Sequence, residues 1–482
     1  MKLLKFNEEV LCSCFIFDPV NNKEFTFNQS FESAKSLYQD NFKALDDGDK
    51  ILLISSDVYL IFSFILSSWI HNFIPAIISP NLNIIEYRKI IKRMSINSIY
   101  TDIQEIHCNL GIPLINFKFS TESRMRNTIN FSYEAEQTAI ILFSSGSTGK
   151  QKIIPLSFNN ILSNIYSFSQ AFLLKEKTTF LCTSPVWFAH GLYNSILTCF
   201  FLQKKVIFSG LLSLFNASKL LEASAKESGL IYHLTPSMIP ILLSVSSKMN
   251  TKDLPKFAYA ICGTSFLDQK SKFSFEKIFK TKLIQQYGMT EVLYISFNNK
   301  PIIKPKSVGR PLEIVKIKIW NGKILEKNQE GQILINSPSF CGGYLDESNL
   351  KITNNEGYFI TGDIGYIDDD GYLFITGREK DLIKKGGVAI SSSEINTKIE
   401  GYEKITKAIT ISQLDENVGE EIYCFITATT KIKMSNLKDY LRDKLTPSLM
   451  PKKIYQIKNF PLNEMGKISR EDLINILMSK NV

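Results

Sequence analysis

Apolar and polar residues alternate along the first two thirds of the chain in a way that is typical of layered α/β proteins. Short apolar runs rich in β-branched residues predict buried strands: KILLISS, IPAIIS, AIILFS, TTFLCTS, KVIFSG, GLIYHLT and FAYAICG. Longer stretches with helical spacing lie between some of them, such as NNILSNIYSFSQAF. This alternation predicts an α/β fold, with a large N-terminal layered body that contains much parallel sheet.

One apolar segment is long enough to suggest a membrane helix. Residues 58–85 carry no formal charge when His71 is neutral, and they exceed the roughly 18 apolar residues that flag a membrane span. Several serines, His71, Asn72 and Pro75 interrupt the segment, however. A strand, a buried helix near Val58–Asn72 and a second strand explain it as a βαβ unit. We therefore expect no stable membrane insertion, and a membrane protein is the alternative.

The pattern changes after about Lys304. VKIKIW-NG-KIL, GQILINS and IGYIDDDGYLFITG have the short strands and Gly or Asp-Gly turns of hairpins, which predicts a β-rich subdomain. A smaller α+β segment follows from about Glu379. The glycine and the charge cluster in TGREKD separate the two patterns, so we predict an N-terminal domain over residues 1–377 and a C-terminal domain over residues 378–482.

Charge and cysteine content exclude several classes of protein. The 56 basic and 47 acidic residues of the 482-residue chain give 56 − 47 = +9, but the basic residues are scattered, so nucleic acid is not an expected partner. The eight cysteines contain no C-x-x-C motif and suggest neither a zinc framework nor a disulfide scaffold. Reduced thiols in a cytoplasmic protein fit this composition best.

A glycine-rich stretch, LFSSGSTGKQKII, follows the predicted strand AIILFS. Its glycines let main-chain N–H groups approach an anion, its hydroxyls add donors, and its lysines supply charge. Only two residues separate Gly146 from Gly149, and Gln151 follows Lys150, so the stretch does not match the G-x-x-x-x-G-K-[ST] template. It predicts a phosphate site outside the P-loop NTPases, and a flexible serine-glycine loop is the alternative.

Four ordered motifs, FSSGSTGKQK, QQYGMTEV, YFITGDIGYIDDDGYLFITGREKDLIKKGG and NEMGKISR, resemble those of the adenylate-forming superfamily over nearly the whole chain. This superfamily includes acyl-CoA and aryl-CoA ligases, peptide-synthetase adenylation domains and firefly luciferases. The resemblance implies an ATP-dependent acid–thiol ligase that forms acyl-AMP, releases pyrophosphate and transfers the acyl group to coenzyme A. ATP and Mg²⁺ are the implied cofactors.

The resemblance also implies roles for single residues. Tyr287 is expected against the adenine, Thr290 at the α-phosphate and Glu291 on Mg²⁺. Asp363 is expected to accept hydrogen bonds from both ribose hydroxyls, and Arg378 to reach the ribose or the phosphates. The implied nucleotide-binding residues are Ser145, Gly146, Ser147, Thr148, Gly149 and Lys152 in the loop, Gly263, Thr264 and Ser265 in CGTSFL, Tyr287, Gly288 and Met289 in YGMTE, and Asp363 and Arg378 in TGD and TGRE.

A mobile C-terminal domain is a further implication of the resemblance. Lys467 matches the catalytic lysine, which faces the α-phosphate while acyl-AMP forms, and Lys380 stands at the hinge position. Rotation about Lys380 is expected to bring the segment KKGG over the site to admit a thiol. The residues of this thiol passage are Lys384, Lys385, Gly386 and Gly387.

SPVWFAHGLYNSIL resembles the segment that lines the acyl pocket, with His190 at a gate position. The alternative for His190 is a structural histidine in the core, with its hydrogen bonds satisfied by neighbouring groups. The chain has no Asp or Glu between Glu176 and Glu222, and a buried ammonium group without a partner is costly. We therefore expect a small-molecule carboxylic acid that is apolar, either aliphatic or aromatic, and no α-amino acid.

Two alternatives concern the acceptor and the activity. Coenzyme A is the expected acceptor of the acyl group, and the phosphopantetheine arm of an acyl carrier protein is the alternative acceptor. Gln151 and Ile153 stand where the superfamily usually has proline and glycine around the last lysine of the loop, and Ser393 stands where proline is common. These departures keep open a non-catalytic, nucleotide-binding regulator.

Overall fold

The protein is described from a computed structural model that covers residues 2–115, 117, 128–144, 151–265, 267, 269–346, 352–385, 388–415, 419–462 and 468–480. These residues form two compact units. The larger unit comprises the described residues of 1–146, 151–316 and 336–352, and the smaller unit those of 317–335 and 353–482. The predicted domain boundary between residues 377 and 378 stays a prediction.

The strands of the described residues are β1 Lys2–Asn7, β2 Cys14–Asp18, β3 Lys23–Thr26, β4 Lys50–Ile54, β5 Ile74–Ile78, β6 Ser98–Thr101, β7 Thr128–Tyr133, β8 Thr138–Phe143, β9 Ile153–Ser157, β10 Thr179–Cys182, β11 Lys205–Phe208, β12 Leu230–Leu234, β13 Phe257–Cys262, β14 Leu283–Met289, β15 Leu293–Phe297, β16 Arg310–Pro311, β17 Lys316–Trp320, β18 Gly331–Asn336, β19 Phe359–Ile367, β20 Leu373–Arg378, β21 Leu382–Lys385, β22 Val388–Ser391, β23 Ile405–Asp415, β24 Gly419–Ala428 and β25 Lys453–Gln456. The helices are α1 Glu8–Cys12, α2 Phe27–Leu37, α3 Val58–Ile70, α4 Ile84–Met94, α5 Gln104–Leu110, α6 Phe158–Ala171, α7 Ala189–Gly191, α8 Thr198–Leu202, α9 Ala217–Ser224, α10 Ile239–Ser246, α11 Gln269–Phe279, α12 Ser392–Glu400, α13 Met434–Arg442 and α14 Arg470–Lys480.

Two large sheets build the larger unit. One has the strand order β6-β4-β5-β8-β9, and the other has the order β16-β15-β14-β13-β12-β10-β11-β2-β3. The inner pairs of both sheets are parallel, whereas β8–β9, β14–β15, β15–β16 and β2–β3 are antiparallel. The predicted α/β body with much parallel sheet is confirmed.

The long apolar segment is a βαβ unit, as predicted, and its helix α3 lies between the two sheets. Phe62 packs edge-to-face on Phe15 of β2, with the ring centroids 4.8 Å apart. On the other side, the indole Nε1 of Trp69 donates to the carbonyl oxygen of Ala139 in β8 at 2.6 Å. Because both sides of the helix are covered, its sequence needs no polar face. Within the described part of the chain, no helix is long and apolar enough to cross a membrane.

The smaller unit contains the predicted hairpins and α+β segment. β19 and β20 form an antiparallel pair within the sheet β17-β18-β19-β20. A second sheet has the order β22-β21-β24-β23, with β25 beside β24. Alternate residues of β24 enter separate cores on its two faces, since Ile422 packs with residues of α12 and α13, whereas Tyr423 packs with residues of α14. This period of two is what the strand geometry requires.

Candidate active site

The glycine-rich loop follows β8 and precedes β9. Phe143 and Ile153 face each other where these two antiparallel strands meet the loop. The N–H of Ser144 donates to the carbonyl oxygen of Lys152 at 3.1 Å, and the N–H of Lys152 donates to Oγ of Ser144 at 3.3 Å. These contacts form the stem of the loop. Five predicted phosphate-binding residues lie outside the described residues: Ser145, Gly146, Ser147, Thr148 and Gly149.

Lys152, the last lysine of the loop motif, meets the predicted metal ligand Glu291 through Tyr344. The Lys152 Nζ lies 2.7 Å from the phenol oxygen, and that oxygen lies 2.9 Å from Oε1 of Glu291. The direct distance from Nζ to Oε1 is 3.8 Å. The Glu291 side chain is 10% exposed and that of Lys152 is 41% exposed. A shielded carboxylate and a lysine that reaches solvent are thus brought together.

Tyr344 belongs to a segment that the sequence analysis did not single out. We call residues 338–346, PSFCGGYLD, the strap. The N–H of Cys341 donates to the carbonyl oxygen of Glu291 at 2.9 Å, and the N–H of Leu345 donates to that of Ile153 at 3.0 Å. The strap therefore ties the turn that carries Glu291 to the stem of the loop. The only signal in its sequence is the glycine pair, of which Gly342 has a φ of +79°.

Arg93, near the end of α4, holds the strap and the stem at a second point. Its Nε donates to Oδ2 of Asp346 at 2.6 Å, and its Nη2 donates to the carbonyl oxygen of Gln151 at 2.7 Å. The side chain of Asp346 is 6% exposed and that of Arg93 is 20% exposed. The planar guanidinium presents its donors in a rigid fork, so it can serve both acceptors at once in a fixed geometry. Sequence reasoning missed this residue because its partners lie far away along the chain.

The segments CGTS and QQYGMTE meet at the carboxyl ends of two parallel strands. Cys262 of β13 is paired with Gln285 of β14, and the side chain of Gln286 lies 3.4 Å from where a Cβ of Gly263 would stand. A Cβ at Gly288 would lie 2.6 Å from the carbonyl oxygen of Leu293, so β14 and β15 come this close only with glycine there. Tyr287 is buried, and Met289 and Thr290 are half-buried. Ligands in α/β sheets commonly bind at such strand ends.

Thr264 has an unusual main-chain conformation in this corner. Its φ is +73°, a region that a β-branched residue seldom adopts, and strain of this kind clusters at functional sites. Its Oγ1 and the Oε1 of Gln286 are both buried and have no hydrogen-bond partner among the described residues. Ser265 is exposed. Buried polar atoms are normally hydrogen-bonded. A bound nucleotide would supply donors and acceptors to these two atoms, so they are compatible with a nucleotide site.

The predicted ribose ligand Asp363 is paired with Arg378 in the smaller unit. The two residues face each other across β19 and β20, and Nε of Arg378 lies 2.7 Å from Oδ1 of Asp363. The aspartate side chain is 2% exposed and the arginine side chain is 49% exposed. Gly362 precedes the aspartate with a φ of +72°. The ion pair fixes the position of the carboxylate, whose oxygens can accept hydrogen bonds from hydroxyl groups.

Lys380 lies in the turn that follows β20. Partial burial and the guanidinium groups of Arg378 and Arg470 lower its pKa to about 8, although Asp381 and Asp363 oppose the shift. A lysine with this pKa changes charge near neutral pH. Of the predicted thiol passage, Lys385 is paired with Glu421 at 2.6 Å. Gly386, Gly387, the side chain of Lys384 and the predicted catalytic Lys467 lie outside the described residues.

The predicted acyl-pocket segment is buried except at Pro185 and Ala189, which are half-buried. The Nδ1 of His190 lies 2.8 Å from Oγ of Ser184, and a Cβ at Gly191 would lie 2.2 Å from the carbonyl oxygen of Pro185. Burial, together with nearby His190, lowers the pKa of His233 well below its usual value. The structure therefore places His190 in a tightly packed and polar corner, and its role as a gate stays a prediction.

Comparisons with known proteins identify relatives of this chain. The family model described as "AMP-binding enzyme" matches residues 43–345. Oxalate–CoA ligase from Arabidopsis thaliana is 27% identical over 379 residues, which are 77% of this chain and 73% of that protein. 2-Succinylbenzoate–CoA ligase from Staphylococcus epidermidis is 26% identical over 459 residues, which are 94% and 93% of the two chains.

Two solved structures have the same fold over almost the whole chain. ATP-bound MatB from Rhodopseudomonas palustris superposes with a TM-score of 0.85 at 20% identity and covers 98% of this chain and 99% of that one. o-Succinylbenzoate CoA synthetase (MenE) from Bacillus subtilis, in complex with its acyl-adenylate intermediate, has a TM-score of 0.82 at 18% identity and covers 98% of both chains. The family model spans more than half of the sequence, so this chain belongs to the AMP-binding enzyme family.

Proposed function

We propose that this enzyme is an AMP-forming acid–thiol ligase that activates a carboxylic acid as acyl-AMP, releases pyrophosphate and transfers the acyl group to coenzyme A. The observation that carries the proposal is the contact between Lys152 at the loop stem and the shielded Glu291 carboxylate, through Tyr344. The proposal assigns phosphate binding to Lys152 and metal binding to Glu291, and it is supported by the contact that holds these two side chains together. The relatives named as CoA ligases support the same reaction class.

The carboxylate of Glu291 fits Mg²⁺. No group of three or more His, Cys, Asp or Glu residues within the described ranges could hold a metal ion. Mg²⁺ is commonly held by one or two carboxylates together with substrate phosphates, so a single buried acid suffices. When bound, the ion would neutralise charge on the phosphate oxygens.

The residues of the chain have separable roles in the first half-reaction. Asp363 accepts hydrogen bonds from the ribose hydroxyls, and Tyr287 lies against the adenine. Thr290 donates to the α-phosphate, and Lys467 places its ammonium where negative charge develops as the carboxylate attacks. Removing one such donor commonly lowers the rate by ~10²- to 10³-fold. These roles orient the reactants and stabilise the transition state.

In the second half-reaction, residues 378–482 act as a mobile domain that is hinged at Lys380. Their rotation withdraws Lys467 and brings the thiol passage, residues 384–387, to the site. A lysine-glycine stretch suits pantetheine because glycine permits close approach and lysine meets a phosphate. The acceptor is coenzyme A, and the phosphopantetheine arm of a carrier protein is the alternative.

The substrate is a small-molecule carboxylic acid that is apolar or aromatic. Trp187, Phe188 and Tyr193 of the acyl-pocket segment are all buried, and the sequence between Glu176 and Glu222 contains no acidic residue to pair with an ammonium group. A panel of aliphatic, aromatic and dicarboxylic acids, with ATP, Mg²⁺ and hydroxylamine, identifies the substrate by acid-dependent hydroxamate and pyrophosphate. Activity with dicarboxylic acids alone would overturn the apolar assignment, and the absence of any product would overturn the ligase.

A variant of Lys467 tests the two-step scheme. Lys467→Ala should abolish acyl-AMP formation and spare thioester formation from supplied acyl-AMP and coenzyme A, since the lysine acts only in the first step. Lys458→Ala, at an exposed lysine of the same unit, is the matched control and should retain both steps. Equal loss of both steps in Lys467→Ala would contradict the scheme. If a carrier protein is acylated faster than free coenzyme A, the carrier protein and not coenzyme A is the acceptor.

A further inference from the structure

Building on the proposed function, we propose that Tyr344 is a positioning residue for the metal-binding carboxylate. Its phenol oxygen bridges Lys152 and Glu291. When the metal and nucleotide bind, Lys152 leaves for the phosphates, and the phenol keeps its hydrogen bond to Glu291. Tyr344 thereby fixes the acid at the place where the metal arrives.

The direction of the hydrogen bonds follows from the three groups. An ammonium only donates and an ionised carboxylate only accepts, whereas a phenol does both. The phenol oxygen therefore accepts from Lys152 at 2.7 Å and donates to Glu291 at 2.9 Å. The separation of 3.8 Å between Nζ and Oε1 makes the phenol the shorter connection. With Oε1 engaged by the phenol, Oε2 is the oxygen of Glu291 that would hold the metal.

The strap holds both ends of the Tyr344–Glu291 contact. Tyr344 is buried, with 6% of its surface exposed, and the N–H of Cys341 donates to the main chain of Glu291 itself. The N–H of Leu345 binds Ile153 at the other end. One short segment thus fixes the main chain and the side chain of the same acid.

Lys152 is the partner that can leave. Its side chain is 41% exposed against 10% for Glu291, and its ammonium lies 4.5 Å from the centre of the Tyr344 ring. The lysine compensates the charge of a nearly buried carboxylate until a cation replaces it, since an unpaired buried charge is costly. Its flexible stem lets it exchange this pairing for a phosphate oxygen.

The test measures metal binding without turnover. Mn²⁺ is titrated into enzyme saturated with α,β-methylene-ATP, in the absence of any acid, and the bound ion is followed by electron paramagnetic resonance. Tyr344→Phe should weaken Mn²⁺ binding by about tenfold, the loss that is typical when a partner that orients a metal ligand is removed. Tyr259→Phe is the matched control, because it removes a phenol that donates to the carbonyl oxygen of Phe172 at 3.0 Å. It should bind Mn²⁺ as the wild type does.

Two further variants separate this inference from the proposed function. If Glu291→Gln weakens Mn²⁺ binding and Tyr344→Phe does not, the positioning role is overturned and the metal role of Glu291 stands. If neither variant weakens binding, the metal role of Glu291 is itself wrong. Lys152→Met should weaken binding of the nucleotide analogue and change Mn²⁺ affinity at saturating analogue by less than about threefold, because the phenol still orients the acid. A loss of Mn²⁺ affinity as large as in Tyr344→Phe would overturn the exchange of partners.

Transfer of the acyl group gives an independent readout. Thioester formation from supplied acyl-AMP does not use the metal–carboxylate contact, so Tyr344→Phe should retain it at the wild-type rate. In the first half-reaction the same variant should require about tenfold more Mg²⁺ for half-maximal pyrophosphate release. Equal losses in the two half-reactions would show a general structural defect and overturn the inference.

Discussion

Replacing Arg93 by methionine should loosen the stem of the glycine-rich loop. The guanidinium binds Asp346 of the strap and the carbonyl oxygen of Gln151 at the same time. Methionine keeps most of the side-chain volume and removes every donor. The stem would then lose its contact at Gln151, while the two hydrogen bonds between Ser144 and Lys152 remain.

The magnitude follows from the burial of the pair. Asp346 is 6% exposed and Arg93 is 20% exposed, so the pair lies between a surface ion pair, worth ~0–1 kcal/mol, and a fully buried pair, whose disruption costs ~3–5 kcal/mol. We take about 2 kcal/mol for the ion pair and about 1 kcal/mol for the hydrogen bond to Gln151. Arg93→Met should therefore lower the free energy of unfolding of the larger unit by about 3 kcal/mol. Arg93→Lys should lower the free energy of unfolding by less, because lysine keeps the positive charge although it lacks the planar fork of guanidinium donors.

Urea unfolding measured by tryptophan fluorescence checks this value. Of the three tryptophans, Trp69 and Trp187 belong to the larger unit and Trp320 to the smaller one, so a Trp320→Phe background restricts the signal to the larger unit. A double-mutant cycle with Asp346→Asn should give a coupling of at least ~1 kcal/mol, because the two side chains are in direct contact. A coupling below ~0.5 kcal/mol would refute the pairing. The KM for ATP should rise in Arg93→Met and stay unchanged in Lys252→Met, a control at an exposed basic residue.

Two further predictions concern Lys380 and Gly191. The pKa of Lys380 is about 8 in the folded protein against an ordinary 10.5, so the unfolded chain binds more protons between these values and the free energy of unfolding should rise with pH there. Urea unfolding at pH 8 and pH 10 should show a smaller rise in Lys380→Met than in the wild type, and equal rises would contradict the shift. Gly191→Ala should destabilise the fold by roughly 3 kcal/mol or more, since its Cβ would stand 2.2 Å from the carbonyl oxygen of Pro185. A thermal unfolding midpoint equal to that of the wild type would show that the α7 segment relaxes freely.

Hydrophobic periodicity predicted the layers of this protein because burial enforces it. The βαβ unit around α3 and the hairpin β19–β20 were readable from runs of apolar residues and from turn residues. Periodicity carries no information on the strap, which has no regular pattern and whose Tyr344 reaches Lys152 across 192 positions. The positive φ of Thr264 was unpredictable for the opposite reason, since local preference argues against it.

The hydrogen bond from Arg93 to the main chain of Gln151 bears on whether the loop needs a proline at this position. A proline at this position stabilises a loop mainly by restricting the unfolded chain, by ~0.4–1 kcal/mol. The hydrogen bond from Arg93 to the Gln151 carbonyl contributes ~0.5–1.5 kcal/mol, and it acts on the folded stem directly. A restraint within the chain has thus been replaced by a tertiary contact of similar size, with Asp346 holding the guanidinium in place. Gln151 is therefore no reason to regard the loop as degenerate, because Arg93 supplies the restraint that a proline ring would otherwise provide.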